Sequence, residues 1–345
     1  MRNAPATRPA RAEEEAGVKI LLASRIDPGA ESRLRAAHDV TCAFGAAPEV
    51  LAPAIADREV LVFRSGVQIT APVLEAAPRL RLIVRAGSGM DNIDLAPVER
   101  RRIAFVRIPG PGAQAVAEMA FAMMLALARN LLRADRALRQ GRFAKAEMTG
   151  YLLQGKTLGV VGAGNIGSKV GQMGVAWGMR VLGCTENGGA KDVERLAALG
   201  IRRTTFDELL RRSDFVSVHV PLQDSTRSLL DPDAFARMKR GAFLVNLARG
   251  GVVDERALHH ALASGHLAGA GLDVHEREGD GHVSPLAGFE QVVLTPHIGA
   301  STHDSQREIG ERIVETIDSF AGSTGQAAEE ELLEPGPALR RSRMA

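Results

Sequence analysis

The sequence predicts an α/β protein built from two doubly wound parallel-sheet domains. Short runs rich in leucine and β-branched residues alternate with helical patterns, first over residues 18–86 and again from residue 156. This alternation is typical of parallel strands whose connecting helices cover both faces of a sheet. The chain has 345 residues, more than one ordinary core accommodates, and this also favours two domains.

The first βα series lies near the amino terminus. Its predicted strands are Val18–Ala23, Val60–Phe63 and Leu80–Ala86, and its predicted helices are Pro28–Ala37 and Ala71–Ala77. Because parallel neighbours need a crossover connection, the helices between these runs favour a parallel arrangement.

The second series predicts a sheet of six strands. They are Thr157–Gly162, Met179–Cys184, Phe215–Val220, Ala242–Leu247, Gly269–Val274 and Val292–Thr295. Helices are expected from about Ile166, over Lys191–Leu199, Phe206–Arg211, Asp233–Lys239 and Glu255–Ser264, and after the last strand over Asp304–Phe320. A long helical stretch, Gln114–Gln140, separates the two series. Its apolar surface favours a role as domain connector and subunit interface, and a core helix within one chain is the alternative.

Composition narrows the class of protein. The 43 basic and 41 acidic residues give a net charge of +2, so no nucleic-acid partner is expected. Two cysteines without C-x-x-C spacing argue against a disulfide framework or zinc site and fit a reducing cytoplasm. The longest apolar run, Met119–Ala128, is shorter than the roughly 18 residues of a membrane span and predicts a buried helix. Residues 1–16 and 322–345 are predicted to be disordered tails.

A glycine motif opens the second series. Gly162, Gly164 and Gly167, with Asn165 and Ile166, form a G-x-G-x-x-G between an apolar strand and a helix. In this context the glycines allow a tight turn, close approach of a pyrophosphate, and helix–strand packing. The helix N-terminus favours the anion. The motif therefore predicts a dinucleotide-binding site. The alternative is that the three glycines belong to an ordinary turn that binds no ligand.

The end of the next strand bears on the choice of cofactor. An acidic residue about 20 positions after the glycines would bind the adenosine ribose hydroxyls. Here the strand is followed by Thr185, Glu186 and Asn187, so the carboxylate comes one place later. Glu186 could serve as the acceptor, which favours NAD. Thr185 with Asn187 and Lys191 could instead tolerate a 2′-phosphate, so NADP stays open.

Three chemically distinct side chains follow three predicted strands of the second series. Arg249, Glu278 and His297 are expected at the strands' carboxyl edge, where open α/β sheets bind ligands. An arginine fork grips a carboxylate, a histidine carries a proton near neutral pH, and a nearby carboxylate favours the imidazolium. Each residue alone fits a solvated loop. Together they predict hydride transfer on a small 2-hydroxy acid.

The order of these motifs resembles the D-isomer-specific 2-hydroxyacid dehydrogenases, most of all the 3-phosphoglycerate dehydrogenase branch. The matching stretches are residues 85–94, 162–167, 219–222, 246–251, 273–278 and 295–301. The resemblance implies that Arg249, Glu278 and His297 are the catalytic residues. It further implies cofactor contacts at Ser88, Pro221, Leu247, Ala248, Asp273 and Gly299.

The resemblance also implies a substrate site. Gly87, Ser88 and Gly89 would hold the substrate carboxylate, together with Arg249 and His297. Arg64 matches a position that contacts a distal phosphate, although an arginine in a solvated loop is an equal alternative.

The domain organisation follows from the same resemblance. A flavodoxin-like substrate domain, 17–117 with 301–321, receives an inserted NAD(P)-binding Rossmann domain, 118–300. Three departures are visible. Thr185 replaces the usual aspartate, Gly112–Ala113 replaces the pair at the interdomain hinge and predicts a looser hinge, and Gly279 replaces a proline and predicts a more mobile loop.

The function expected from the sequence is an oxidoreductase that moves a hydride between NAD(P) and a D-2-hydroxy acid. The substrate would be of the 3-phosphoglycerate, hydroxypyruvate or glyoxylate type, and the enzyme a cytoplasmic homodimer without a membrane partner or regulatory domain. One alternative is a nicotinamide-sensing binding protein of corepressor type with little turnover. A methyltransferase is a poorer alternative because it leaves Arg249, Glu278 and His297 unexplained.

Overall fold

The computed structural model describes residues 17–186 and 189–322. They divide into two compact units, one of residues 17–109 with 306–322 and the other of residues 110–305. The predicted tails, apart from Gly322, and Asn187 lie outside the described residues.

The first unit begins with a five-stranded sheet. Its elements are β1 (Lys19–Leu22), α1 (Pro28–Ala37), β2 (Asp39–Cys42), α2 (Pro48–Ile55), β3 (Val60–Phe63), α3 (Ala71–Glu75), β4 (Leu82–Arg85), α4 (Leu95–Arg100) and β5 (Ala104–Arg107). All strands are parallel, in the order β2-β1-β3-β4-β5. Successive residues of the inner strands alternate between two buried clusters, one on each face, which confirms the predicted doubly wound class.

Four elements of this unit are absent from the sequence prediction. Strands β2 and β5 lie at the sheet edges, and their residues are mostly half-buried, so their apolar pattern is weak. Helix α2 contains Pro53, and α4 has only six residues. Short elements with weak periodicity are not recognisable from a single sequence.

The second unit contains a seven-stranded parallel sheet. Its elements are α5 (Gly110–Ala128), α6 (Leu131–Arg139), a 3₁₀ turn (Lys145–Met148), β6 (Thr157–Val161), α7 (Asn165–Ala176), β7 (Arg180–Cys184), α8 (Ala190–Ala198), β8 (Arg202–Arg203), α9 (Phe206–Arg212), β9 (Phe215–Val218), α10 (Pro232–Arg237), β10 (Ala242–Asn246), α11 (Glu255–Ala263), β11 (Leu267–Leu272) and β12 (Val292–Leu294). The strand order is β12-β11-β10-β9-β6-β7-β8. The six predicted strands are present. The seventh, β8, consists of two exposed arginines and has no apolar signal.

The predicted helical stretch Gln114–Gln140 is two helices. Asn130 adopts a left-handed conformation, with φ of +51°, and separates α5 from α6. Among the described residues, α5 is long and apolar enough to cross a membrane, but 61% of its apolar window is buried. It packs on α7 and on β10, β11 and β12. It is therefore a core helix of the second unit, whereas the sequence-based boundary at residue 118 would divide it.

The chain returns to the first unit through α12 (His303–Gly322). Ile309, Ile313 and Ile317 are buried in the core on the α1 face of the five-stranded sheet. This packing assigns the helix from Gln306 onward to the first unit. Gly322, predicted to begin the tail, is the last helical residue.

Candidate active site

The carboxyl ends of β10, β11 and β12 are neighbours in the seven-stranded sheet. Their following segments are residues 247–251, 273–278 and 295–299, which carry the predicted arginine, glutamate and histidine. Parallel strands share one carboxyl edge, so the sheet order brings these three segments together.

The turn that carries Arg249 is shaped by Asn246, the last residue of β10. Asn246 is buried; its Nδ2 donates to Arg249 O (3.1 Å) and its Oδ1 accepts from Ala248 N (3.0 Å). Arg249 Nη1 donates to Ala248 O (2.7 Å), and Leu247 is buried. Asn246 was not among the predicted site residues, although a polar amide at the end of an apolar strand is the signal that could have identified it.

Asp273 anchors the loop that carries the histidine. This buried carboxylate accepts at Oδ1 from Thr295 Oγ1 (2.6 Å) and Ile298 N (2.8 Å). Its Oδ2 accepts from Gly299 N (2.7 Å), and its carbonyl accepts from His297 N (2.8 Å). These bonds offset the cost of burying the charge and fix the loop without using the imidazole ring.

His297 and Glu278 form a hydrogen-bonded pair. The Nδ1–H donates to Glu278 Oε2 (2.9 Å), which leaves Nε2 as the ring atom able to exchange a proton. His297 has a φ of +55°, a strained conformation for a residue with a side chain. Glu278 Oε1 also accepts from His275 N (3.3 Å).

The charge state of Glu278 follows from its surroundings. Partial burial acts to raise its pKa, but the hydrogen bond and charge of His297 outweigh burial and hold the pKa below its usual value. The carboxylate is therefore ionised at neutral pH. Its contribution to the pair is retained above the ordinary carboxylate pKa and lost as the pH falls through the lowered one.

The glycine loop has the geometry that a dinucleotide requires. Gly162 has a φ of +87°, and a β carbon there would lie 2.7 Å from Val220 Cγ1. At Gly167 a β carbon would lie 2.3 Å from Gly162 O, whereas a β carbon at Gly164 would have no atom of the described residues within 4 Å apart from its immediate chain neighbours. The loop is thus closed toward the protein and open at Gly164, beside the N-terminus of α7, which fits a pyrophosphate.

The comparisons with known proteins agree with this geometry. Residues 121–299 match the D-isomer specific 2-hydroxyacid dehydrogenase family, NAD binding domain. The chain belongs to this family. It is accordingly an oxidoreductase that exchanges a hydride between a nicotinamide cofactor and a small 2-hydroxy acid, and NAD is the cofactor of the matched domain.

Individual relatives match this chain over most of its length. A hydroxypyruvate reductase of Thermotoga maritima is 42% identical over 76% of this chain and 85% of its own length. A D-3-phosphoglycerate dehydrogenase of Archaeoglobus fulgidus is 38% identical over 88% of this chain but only 57% of its own. The chain thus spans little more than half of that relative. The D-lactate dehydrogenase of Aquifex aeolicus, solved with NAD and lactic acid, has a TM-score of 0.80 at 30% identity, covering 91% of this chain and 97% of that one.

The glycine loop is also held by a side chain that was not predicted from the sequence. Arg195 on α8 donates to Ala163 O (2.8 Å) and to Ser168 Oγ (2.7 Å). The backbone N–H groups of Gly162 and Ala163 donate to Cys184 O (3.1 and 3.0 Å), so the loop is tied to the end of β7. An arginine on an exposed helix carries no sequence signal for this role.

The segment after β7 lies beside the glycine loop. Thr185 Oγ1 is buried and has no hydrogen-bond partner among the described residues. Glu186 is exposed and accepts weak hydrogen bonds from Gln223 Nε2 (3.4 and 3.5 Å). Gln223 follows closely on Pro221, a predicted cofactor contact. An unsatisfied hydroxyl and an exposed carboxylate at this end fit the hydroxyl groups of a ribose.

His219 is a second histidine near the glycine loop. Its Nε2 lies 2.7 Å from Ser217 Oγ, and burial lowers its pKa to about 3. The ring is therefore neutral near pH 7 and is a poor proton donor compared with a histidine paired to a carboxylate.

The first unit gathers the remaining predicted residues at the carboxyl ends of β3 and β4. Asn92 Nδ2 donates to Arg64 O (3.0 Å) and Val67 O (2.7 Å), which joins the loop after β3 to the loop of Gly87, Ser88 and Gly89. A β carbon at Gly87 would lie 2.6 Å from Arg85 Nη1, so this loop rests on a buried guanidinium.

Two departures from the family pattern have a structural context. Gly279 has a φ of +120°, which the ring of a proline forbids. Gly112 and Ala113 lie in the first turn of α5, and Ala113 is buried. A proline could therefore not replace Gly279 without a change in the backbone of the loop after Glu278.

Proposed function

We propose that this dehydrogenase reduces a small 2-oxo acid to the D-2-hydroxy acid, with Arg249, Glu278 and His297 as its catalytic residues. The observation that carries the proposal is the 2.9 Å hydrogen bond between His297 Nδ1 and Glu278 Oε2 at the sheet edge that also carries Arg249. A histidine oriented by a carboxylate is suited to proton transfer.

Each residue has one task in the proposed reaction. Arg249 binds the substrate carboxylate through its guanidinium fork and polarises the adjacent carbonyl. His297 donates the proton on Nε2 to the carbonyl oxygen, and Glu278 stabilises the imidazolium before that transfer. A nicotinamide cofactor, when bound, supplies the hydride. In the oxidation direction, neutral His297 accepts the hydroxyl proton.

Arg64 supports a substrate with an anionic group. Its side chain is partly buried, and burial lowers its pKa, because a charged guanidinium is less favourable away from water. Within residues 17–186 and 189–322, no carboxylate lies within salt-bridge distance of it. Arg64 with Gly87, Ser88 and Gly89 would thus bind anionic groups of the substrate, as in 3-phosphoglycerate, hydroxypyruvate or glyoxylate chemistry.

Steady-state rates with a panel of 2-oxo acids test the function. The panel contains 3-phosphohydroxypyruvate, hydroxypyruvate, glyoxylate and pyruvate, each with NADH, followed by nicotinamide absorbance. Turnover of at least one acid is expected, and Arg64→Leu should raise KM most for the acid with the distal phosphate. Tight NADH binding without turnover of any acid would contradict the proposal and favour the sensor alternative.

We predict that Glu186 selects NAD over NADP by accepting the adenosine ribose hydroxyl and repelling a 2′-phosphate. The wild-type Kd should be lower for NADH than for NADPH, measured by nicotinamide fluorescence. Glu186→Gln removes the charge and should narrow the ratio of the two Kd values about ten-fold, equivalent to about 1.4 kcal/mol. Glu194→Gln, at an exposed position on α8, is the matched control. An unchanged ratio in Glu186→Gln would remove this residue from the ribose site.

We propose a homodimer in the cytoplasm, formed through α6 and the segment that follows it. Large apolar side chains are exposed on this surface: Leu131, Leu132, Leu138, Phe143, Tyr151 and Leu152. Exposed apolar patches of this kind mark interfaces. Sedimentation analysis should give the mass of two chains, and Leu138→Glu combined with Phe143→Glu should give one. Val283→Glu, at another exposed position, should leave the mass unchanged. A dimer that survives the double substitution would place the interface elsewhere.

A further inference from the structure

The loop that carries Glu278 is fastened to the start of α11 by two reciprocal hydrogen bonds. Glu255, the first residue of α11, accepts at Oε1 from the Glu276 backbone N–H (2.8 Å). Glu276 accepts at its own Oε1 from the Glu255 N–H (3.1 Å). This exchange is similar to a capping box, except that it joins two segments 21 residues apart.

The role of Glu255 is distinct from that of the helix cap beside it. Asp254 is the N-cap of α11, and its Oδ1 accepts from Ala257 N (2.8 Å). Glu255 is buried, with 5% of its surface exposed, so its charge depends on hydrogen bonds and on the positive end of the helix dipole. Its bond to the Glu276 N–H therefore fastens the neighbouring loop, whereas the N-cap bond is made by Asp254.

The fastened residues lie against both neighbouring catalytic segments. His275 N donates to Glu278 Oε1, and His275 Nε2 donates to Thr295 O (3.0 Å). A β carbon at Gly250 would lie 1.7 Å from His275 O, so the turn after Arg249 packs directly on this loop. The position of residues 275–276 thus fixes where Glu278 lies.

The chain on the other side of Glu278 gives less support. Gly279 and Gly281 follow it, with φ values of +120° and +83°, and within the described part of the chain no atom beyond their immediate chain neighbours lies within 4 Å of either β-carbon position. Glycine has the largest backbone freedom of any residue. The orientation of Glu278 is consequently set mainly from its amino-terminal side, where Glu255 acts.

We propose that Glu255 is a positioning residue for the reaction: by holding the Glu276 N–H, it keeps Glu278 within hydrogen-bonding reach of His297. The inference rests on the catalytic roles given above for Glu278 and His297. Glu255 contacts neither of them and acts through the backbone of the loop.

The pH profile of kcat/KM for reduction of the 2-oxo acid tests this role. Groups on the segments around His297 that bear on the profile are Glu278, Asp273, His275 and Arg249. Glu255→Ala should lower kcat about 10- to 100-fold, as expected for a small misplacement of a catalytic group. Because the imidazolium then loses the Glu278 carboxylate, the basic limb should move to lower pH. The Kd for NADH should stay within about two-fold.

Two further variants separate positioning from stability. Glu255→Gln keeps an acceptor oxygen for the Glu276 N–H and should restore most of kcat and the wild-type limb. Asp254→Ala weakens the same helix end without contacting the loop, so it should lower Tm and leave the pH profile unchanged. If Glu255→Ala does not fold, Glu255→Asp can replace it, because its carboxylate is one methylene farther from the Glu276 N–H. Glu255→Asp should move the basic limb of the pH profile in the same direction by a smaller amount.

Hydrogen exchange provides a readout that does not depend on turnover. A peptide covering residues 274–279 should exchange faster in Glu255→Ala (or Glu255→Asp) and at the wild-type rate in Glu255→Gln and Asp254→Ala. Wild-type protection together with a wild-type pH limb in Glu255→Ala would overturn the inference. If the wild-type protein reduced no 2-oxo acid, the proposed function and the catalytic part of the inference would both be overturned. If Glu255→Ala lost protection of residues 274–279 but kept wild-type turnover, only the catalytic part of the inference would be overturned.

Discussion

Substitution of His297 by alanine should lower kcat/KM about 10²- to 10⁴-fold, the range expected for loss of a general acid–base group. Nδ1 of this ring is engaged by Glu278, so Nε2 is the atom that delivers the proton. The loop itself is held by Asp273 through backbone N–H groups, and these bonds persist without the ring. The Kd for NADH should therefore stay within about two-fold of wild type, measured by fluorescence titration.

The matched control is His260→Ala. His260 is exposed on α11, and its Nδ1 bonds to Arg256 O of the same helix (2.8 Å). This variant should have wild-type kinetics. Activity of His297→Ala within a few-fold of wild type would show that another group carries the proton.

A lysine at position 249 is expected to lower kcat/KM about 100-fold, although the positive charge is retained. The guanidinium is planar and presents paired N–H groups that match a carboxylate, whereas an ammonium is a compact point charge. Loss of one donor at a developing oxyanion costs about 10²- to 10³-fold in kcat in characterised enzymes. Separate determination of kcat and KM distinguishes lost transition-state stabilisation from lost substrate affinity.

Rescue by free guanidinium provides an independent check. Arg249→Ala should regain part of its activity when guanidinium chloride is added at concentrations below those that unfold the protein, whereas Arg249→Lys should not. Arg256→Lys, an exposed position on α11, should behave as wild type in both assays. Near-normal kcat and KM in Arg249→Lys would exclude Arg249 from the site.

The sequence was most informative where the apolar signal was strong. The inner strands β3 and β6 and the helices α1 and α9 lie within one residue of their predicted bounds at each end, because their buried residues and caps are local features. The strands β2, β5 and β8 were missed; each lies at a sheet edge and is half-buried or exposed, although the half-buried edge strand β12 was predicted. The break at Asn130 was also missed, since an apolar pattern on both sides does not reveal a left-handed residue.

The residues of the candidate site likewise fall into those that could be predicted from the sequence and those that could not. Arg249, Glu278 and His297 are recognisable because each follows a strand end and because the motif order resembles a known family. Asn246, Arg195 and Glu255 were not singled out, because their partners lie in other segments or on the backbone. A polar side chain that binds backbone groups leaves no spacing pattern in a sequence.

The amino-acid sequence by itself determined the α/β class, the glycine loop and the identity of the three catalytic candidates, because apolar periodicity and turn chemistry are local properties of the chain. Only the tertiary structure decided that α5 belongs wholly to the second unit, that Asp273 fastens the histidine loop and that Glu255 holds the glutamate loop. These depend on which segments the sheet order makes neighbours, and that order arises from packing between residues distant in the chain.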